Sequence, residues 1–190
     1  MRSKSTLGRV PGEAGIWILI FGEMSVFSAL FAAFLYYRGR DVSGFTASQA
    51  QLSKAIGLLN TVFLLTSSLF VALAVRATVR MRTIAAPRLY IAGLTCAAAF
   101  ILLKAFEYYT LFARGITVGS NTYFGFYFGL TALHLGHVLI GSGVLLALAI
   151  ATRTPSSEPK RFALIESGGC FWHMVDALWI IIFALLYLVE

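Results

Sequence analysis

Seven ionisable residues of this chain sit inside runs of apolar sequence: Glu23, Lys104, Glu107, His134, His137, His173 and Asp176. A charged side chain at the centre of a bilayer costs about 2.5–3.5 kcal/mol on insertion scales, so each needs a partner or a task. His134 and His137 are spaced i, i+3 and share a helix face, and His173 and Asp176 repeat that spacing. Three imidazoles and a carboxylate could assemble a metal site or supply axial ligands to a haem, since neutral imidazole binds Zn, Cu and Fe. The structural alternative has each histidine satisfied by Glu, Asp or a backbone carbonyl across a helix interface, and nothing in the spacing brings the histidines to one depth. Lys104 and Glu107, also i, i+3, could form an intrahelical pair. Alternatively, the lysine snorkels outward, or Glu107 accepts a hydrogen bond from a Tyr or His on a neighbouring helix. Glu23 stands among Trp17, Ile18, Leu19, Phe21 and Val26. It reads either as a proton-exchanging group or as a carboxyl hydrogen-bonded to the next helix, for instance to a histidine.

The elements that position these residues follow from composition. Hydrophobic residues make up 59% of the chain and charged residues 12%, where a soluble domain carries about 25% charged. Five apolar stretches, at about 15–37, 56–77, 89–113, 123–151 and 168–188, each approach the roughly 20 residues that a spanning helix needs. The sequence therefore predicts an all-α polytopic membrane protein, a single domain over residues 1–190 built as a bundle of five transmembrane helices. The fourth stretch exceeds a bilayer and must tilt or extend past the surface. The first is too long for a signal peptide and lacks a small-residue cleavage site, so it is expected to be retained. Pro11-Gly12-Glu13 marks its start, residues 38–54 read as a polar loop, 78–88 as a short basic connection and 152–161 as an exposed Pro/Ser loop. Ser25, Ala29 and Ala33, and likewise Gly125 and Gly129, have the small-residue spacing that lets membrane helices pack closely. Cys96 and Cys170 lie in separate stretches and read as small packing residues, not as a disulfide or a CxxC site.

The net charge of +7 points to orientation, not to nucleic acid. With the N-terminus cytoplasmic, Arg2, Lys4, Arg9, Arg76, Arg80, Arg82, Arg88, Arg153, Lys160 and Arg161 fall inside. Arg38, Arg40, Lys54 and Arg114 then fall outside. That asymmetry follows the positive-inside rule, placing the C-terminus on the outer side and drawing anionic lipid headgroups to the inner one.

Five motifs carry a family resemblance. They are Gly15-Ile-Trp with Gly22-Glu23 and Phe27 to Phe34; Leu59 to Ser68; Phe106 to Tyr109; Thr131 to Gly141 with His134 and His137; and Phe171 to Trp179 with His173 and Asp176. In that order, over nearly the whole chain, they resemble subunit III of the haem-copper respiratory oxidases in its five-helix form. The resemblance implies a non-catalytic subunit without catalytic residues, metal or redox cofactor of its own, packed against the catalytic haem-copper subunit in the bacterial cytoplasmic membrane. In that family the carboxyl matching Glu23 is buried and carbodiimide-reactive, and the subunit supports assembly, stability and proton uptake and holds phospholipid. Carried over, Glu107, His134, His137, His173 and Asp176 form an internal polar network. Longer members have two more N-terminal helices forming one wall of a lipid-holding cleft, and this chain begins at the third. Val10 to Trp17 and Glu166 to Asp176 are also similar to a subunit III-like branch associated with nitric oxide reductases, toward which the chain leans. The rival class is an independent membrane cytochrome or metal enzyme using the histidines, with a small transporter as a third.

Overall fold

In hydrocarbon every backbone N–H and C=O has to be satisfied within the protein, and a helix does this within one segment. The computed structural model describes residues 13–80, 84–154 and 158–189, and over them the chain is helical, without a strand. The helices are α1 (Ala14–Arg40), α2 (Val42–Gln49), α3 (Lys54–Val79), α4 (Ala85–Ala113), α5 (Thr122–Ala151) and α6 (Pro159–Phe183). A π-helical turn, Ala184–Leu188, continues α6. All but the short α2 are long and apolar enough to cross a membrane.

The helix ends follow local chemistry. Ser53 and Asn121 cap α3 and α5, their side-chain oxygens accepting the N–H groups of Ile56 at 3.4 Å and Phe124 at 2.9 Å. α4 closes in a Schellman motif: Gly115 N–H donates to the Phe112 carbonyl at 2.9 Å, and Ile116 N–H to that of Leu111 at 3.0 Å. Gly115 adopts φ +76° there, a conformation that glycine adopts without steric cost.

Two segments differ from the sequence expectation. The 38–54 segment is not all loop: α1 runs on to Arg40, and Asp41 caps α2 by accepting Gly44 N–H at 3.0 Å. The lone aromatic of that segment, Phe45, is buried against Phe34 and Tyr123, with ring centroids 5.4 and 5.6 Å apart, and this holds α2 to the bundle. The last helix begins at Pro159, well before 168. Lys160, Arg161 and Glu166 give its first turns the polarity of a loop, while Ala163 and Ile165 of the same turns are buried. Glu13 precedes α1 as expected, and Pro11 and Gly12 lie outside the described residues.

α6 is the hub. Of its most apolar stretch 67% is buried, against 11% for α1. α3 and α4 pack as a hairpin, α5 lies on α4, and α6 fills the space among α3, α5 and α1. The fully buried Trp172 and Trp179 sit at its centre. Close approach is needed where α5 crosses Trp172: a Cβ on Gly141 would lie 2.8 Å from the indole Cε3. Gly143, two residues on, has open space.

Gly141→Ala is expected to push α5 off Trp172 and cost about 1–3 kcal/mol, lowering the thermal unfolding temperature in detergent. Gly143→Ala should leave that temperature unchanged or raise it. Equal behaviour of the two variants would show that the α5–α6 contact is not close-packed.

Candidate functional site

Side-chain hydrogen bonds and ion pairs tie ionisable residues of the spans at three separate places in the bundle. The first lies at its centre. Lys104 Nζ contacts Glu107 Oε2 at 2.7 Å one turn along α4, and the two residues are 0% and 2% exposed. Lys104 also donates to the Tyr187 hydroxyl at 3.0 Å, and that hydroxyl donates to both carboxylate oxygens at 2.9 Å. The rings of Trp179, Tyr127 and Tyr187 surround the ammonium at 4.8, 5.3 and 5.5 Å from their centroids. Desolvating two charges costs several kcal/mol each, which a close, fully hydrogen-bonded pair offsets. The aromatic faces add cation–π attraction where water is excluded. The π turn bears Tyr187, and Tyr123 Oη donates to the Leu186 carbonyl within the same turn at 2.6 Å. The lysine does not snorkel.

The second group joins α1 to α5. Glu23 Oε2 lies 3.1 Å from His137 Nε2, with the side chains 31% and 11% exposed. His137 Nδ1 lies 2.8 Å from the Leu133 carbonyl. A carbonyl can only accept, so Nδ1 carries a hydrogen, and the Nε2–Oε2 contact then needs one further proton, shared between imidazole and carboxyl. An open apolar groove of about 960 Å³ lies on the same α1–α5 side, lined in part by Leu30, Tyr37, Gly125 and Gly129.

The third group joins α3 to α6: Ser68 Oγ and His173 Nδ1 are 2.7 Å apart, with His173 exposed. Asp176, one turn on, is buried, and neither of its oxygens has a hydrogen-bond partner among the described residues. His134 is likewise buried without a hydrogen bond there, its ring packed on Trp179 and Phe100 at 5.3 and 5.8 Å. Glu107, His137 and His173 thus occupy three different surroundings. Among the described residues no group of three or more His, Cys, Asp or Glu is placed to hold a metal ion.

Several residues that build or border these groups were not among the site residues singled out from the sequence: Tyr187, Ser68 and Thr61, which accepts the Trp179 indole N–H at 3.1 Å. A signal for the α3 positions exists. Asn60 with Ser67, and Thr61 with Ser68, recur at i, i+7 on an otherwise apolar helix. That spacing keeps them on one face, where Ser67 donates to the Gly93 carbonyl at 2.9 Å.

Against known proteins, the family model described as cytochrome c oxidase subunit III matches residues 11–190. Cytochrome c oxidase subunit 3 of Corynebacterium diphtheriae is 28% identical over 180 residues, covering 94% of this chain and 88% of that protein. Quinol oxidase subunit 3 of Bacillus subtilis is 28% identical over 192 residues, covering 99% of this chain and 91% of that protein. A heme-copper oxidase subunit I+III of Aeropyrum pernix is 26% identical over 185 residues, which span 93% of this chain and 22% of that longer polypeptide.

Replacing one member of the central pair leaves the other charge buried alone. Lys104→Met is expected to destabilise the purified protein by about 3–5 kcal/mol, and the double variant Lys104→Met/Glu107→Gln to recover most of that loss. Thermal unfolding in detergent reads both. A double variant no more stable than the single one would show that the lysine acts by packing rather than by charge.

Proposed function

The chain belongs to the cytochrome c oxidase subunit III family, and from that premise we propose that it is a non-catalytic, multi-pass subunit of a haem-copper oxidase superfamily complex in a bacterial cytoplasmic membrane. Its role is to support the assembly, stability or proton uptake of the catalytic subunit. The observation that carries this reading is the family match over residues 11–190. The relative named as subunit I+III supports a position beside the catalytic subunit.

Within that role Glu23 is the proton-exchanging group. Among the described residues it is the one carboxyl in a span seen both partly exposed and in contact with an imidazole, that of His137. The apolar groove on the same side suits a phospholipid acyl chain. The basic residues at the α3–α4 connection support a cytoplasmic N-terminus. The similarity of Val10 to Trp17 and of Glu166 to Asp176 to the nitric oxide reductase-associated branch favours that branch as the finer assignment.

Deleting the protein is expected to lower the amount or turnover of the catalytic partner in membranes while its haem spectrum persists. Co-purification with an oxidase or with a nitric oxide reductase separates the two branches. A stoichiometric haem or metal bound by the purified chain through its own histidines would overturn the subunit reading. Glu23→Gln keeps shape and hydrogen-bonding capacity, so the protein should accumulate and unfold like the parent while the partner's proton uptake slows. A C-terminal alkaline phosphatase fusion should be active, reporting the outer side.

A further inference from the structure

Ionisable side chains inside membrane helices face the bundle interior, a water-filled cavity or one another. His173 does none of these. It is exposed on the outer surface of α6 and lies at the middle of the Lys160–Leu188 span. Its hydrogen-bond partner Ser68 lies at the middle of the antiparallel Lys54–Val79 span, so two helices independently put the pair at mid-membrane depth. An imidazole is too short to reach the headgroups from there. Ser68 engages only Nδ1, which leaves the Nε2 edge of the ring with no hydrogen-bond partner among the described residues. Lipid tails offer none.

The surroundings form a face. α1 packs on α5 and α6, and α3 packs on α4 and α6, so α6 lies between α1 and α3 with one strip left outward. His173, Ala177, Ile180 and Leu188 follow each other along that strip at helical spacing, and all four are exposed. Ala177, one turn from His173, is small enough to let another helix approach closely.

We propose that this strip of α6, centred on the Ser68–His173 pair, is where a transmembrane helix of the catalytic subunit docks, and that this helix brings a hydrogen-bonding side chain to His173 Nε2 at mid-membrane depth. The inference rests on the subunit reading above and adds the face, the depth and the chemistry of the contact. Its occupant is the catalytic subunit because a relative named as subunit I+III is similar to 93% of this chain within one longer polypeptide. The α1–α5 side, by contrast, has a groove lined mostly by apolar side chains and glycines, with Tyr37, Asn121 and Thr122 among them, and its polar pair, Glu23 with His137, is paired within the chain.

The test uses the complex assembled in membranes from the full chain, with a photo-crosslinking amino acid at position 177 or, on α5, at the exposed position 146. The expected result is a crosslink to the catalytic subunit from position 177 and not from 146. In parallel, His173→Leu should reduce the catalytic subunit that co-purifies with the tagged chain roughly tenfold, with His173→Gln recovering most of it. The isolated chain should accumulate like the parent in both and, apart from the lost Ser68 hydrogen bond in His173→Leu, unfold like it. Crosslinking from 146 alone, from 177 to a second copy of this chain, or to lipid only would overturn the docking face while the subunit reading stands. Equal co-purification with and without the imidazole would remove the hydrogen bond from the proposal. Failure of the parent chain to co-purify with any haem-containing subunit would instead sink the subunit reading itself.

Discussion

A charged pair sealed in a dry helical bundle has to be answered on every side, and Lys104 with Glu107 is the constraint around which this fold closes. The ammonium has the carboxylate and a phenol oxygen within 3.0 Å, and the aromatic faces come from α5, α6 and the turn after α6. Each of those groups is useful only at one axial position. The pair therefore fixes the register of α4 against α5 and α6, because sliding a helix by one residue would remove a ring or the phenol and leave charge uncompensated. The π turn fits this account: Tyr187, which contacts both Lys104 and Glu107, lies within it.

Away from that centre the polar residues have a different character. Glu23 with His137 and Ser68 with His173 lie at seams between helices, partly open to whatever surrounds the bundle. A sealed pair contributes to the uniqueness of the fold. A seam pair keeps an edge that another molecule, or a proton, can reach. Asp176 and His134 belong to neither kind: both are buried without a hydrogen bond among the described residues, His134 against the Trp179 ring.

What could be read from the sequence divides along the same line. Five spans were legible because hydrocarbon imposes length and apolarity on each segment separately, and the i, i+3 pairing of Lys104 with Glu107 was legible because it is local. The grouping of the histidines was not. Their separation depends on which faces of α1, α3 and α6 meet, and those faces differ little in hydrophobicity when lipid and protein interior are equally apolar. Tyr187 was not singled out because a single tyrosine at the end of an apolar run carries no local signal, whereas in the structure it lies fully buried in the π turn. The early start of α6 and the helix within 42–49 were hidden by polar composition, although Ile165 and Phe45 in them are buried.

The unequal burial of the spans also bears on the order in which the molecule comes into being. α6 is the most enclosed helix, yet it follows the other four spans along the chain. Until it enters the bilayer, the faces of α3, α5 and α1 that receive it meet only lipid, and Lys104 lacks the rings of Trp179 and Tyr187. The centre of the bundle therefore waits for α6: with only the four preceding spans in place, the ion pair on α4 has the Tyr127 ring of α5 beside it but neither Trp179 nor Tyr187.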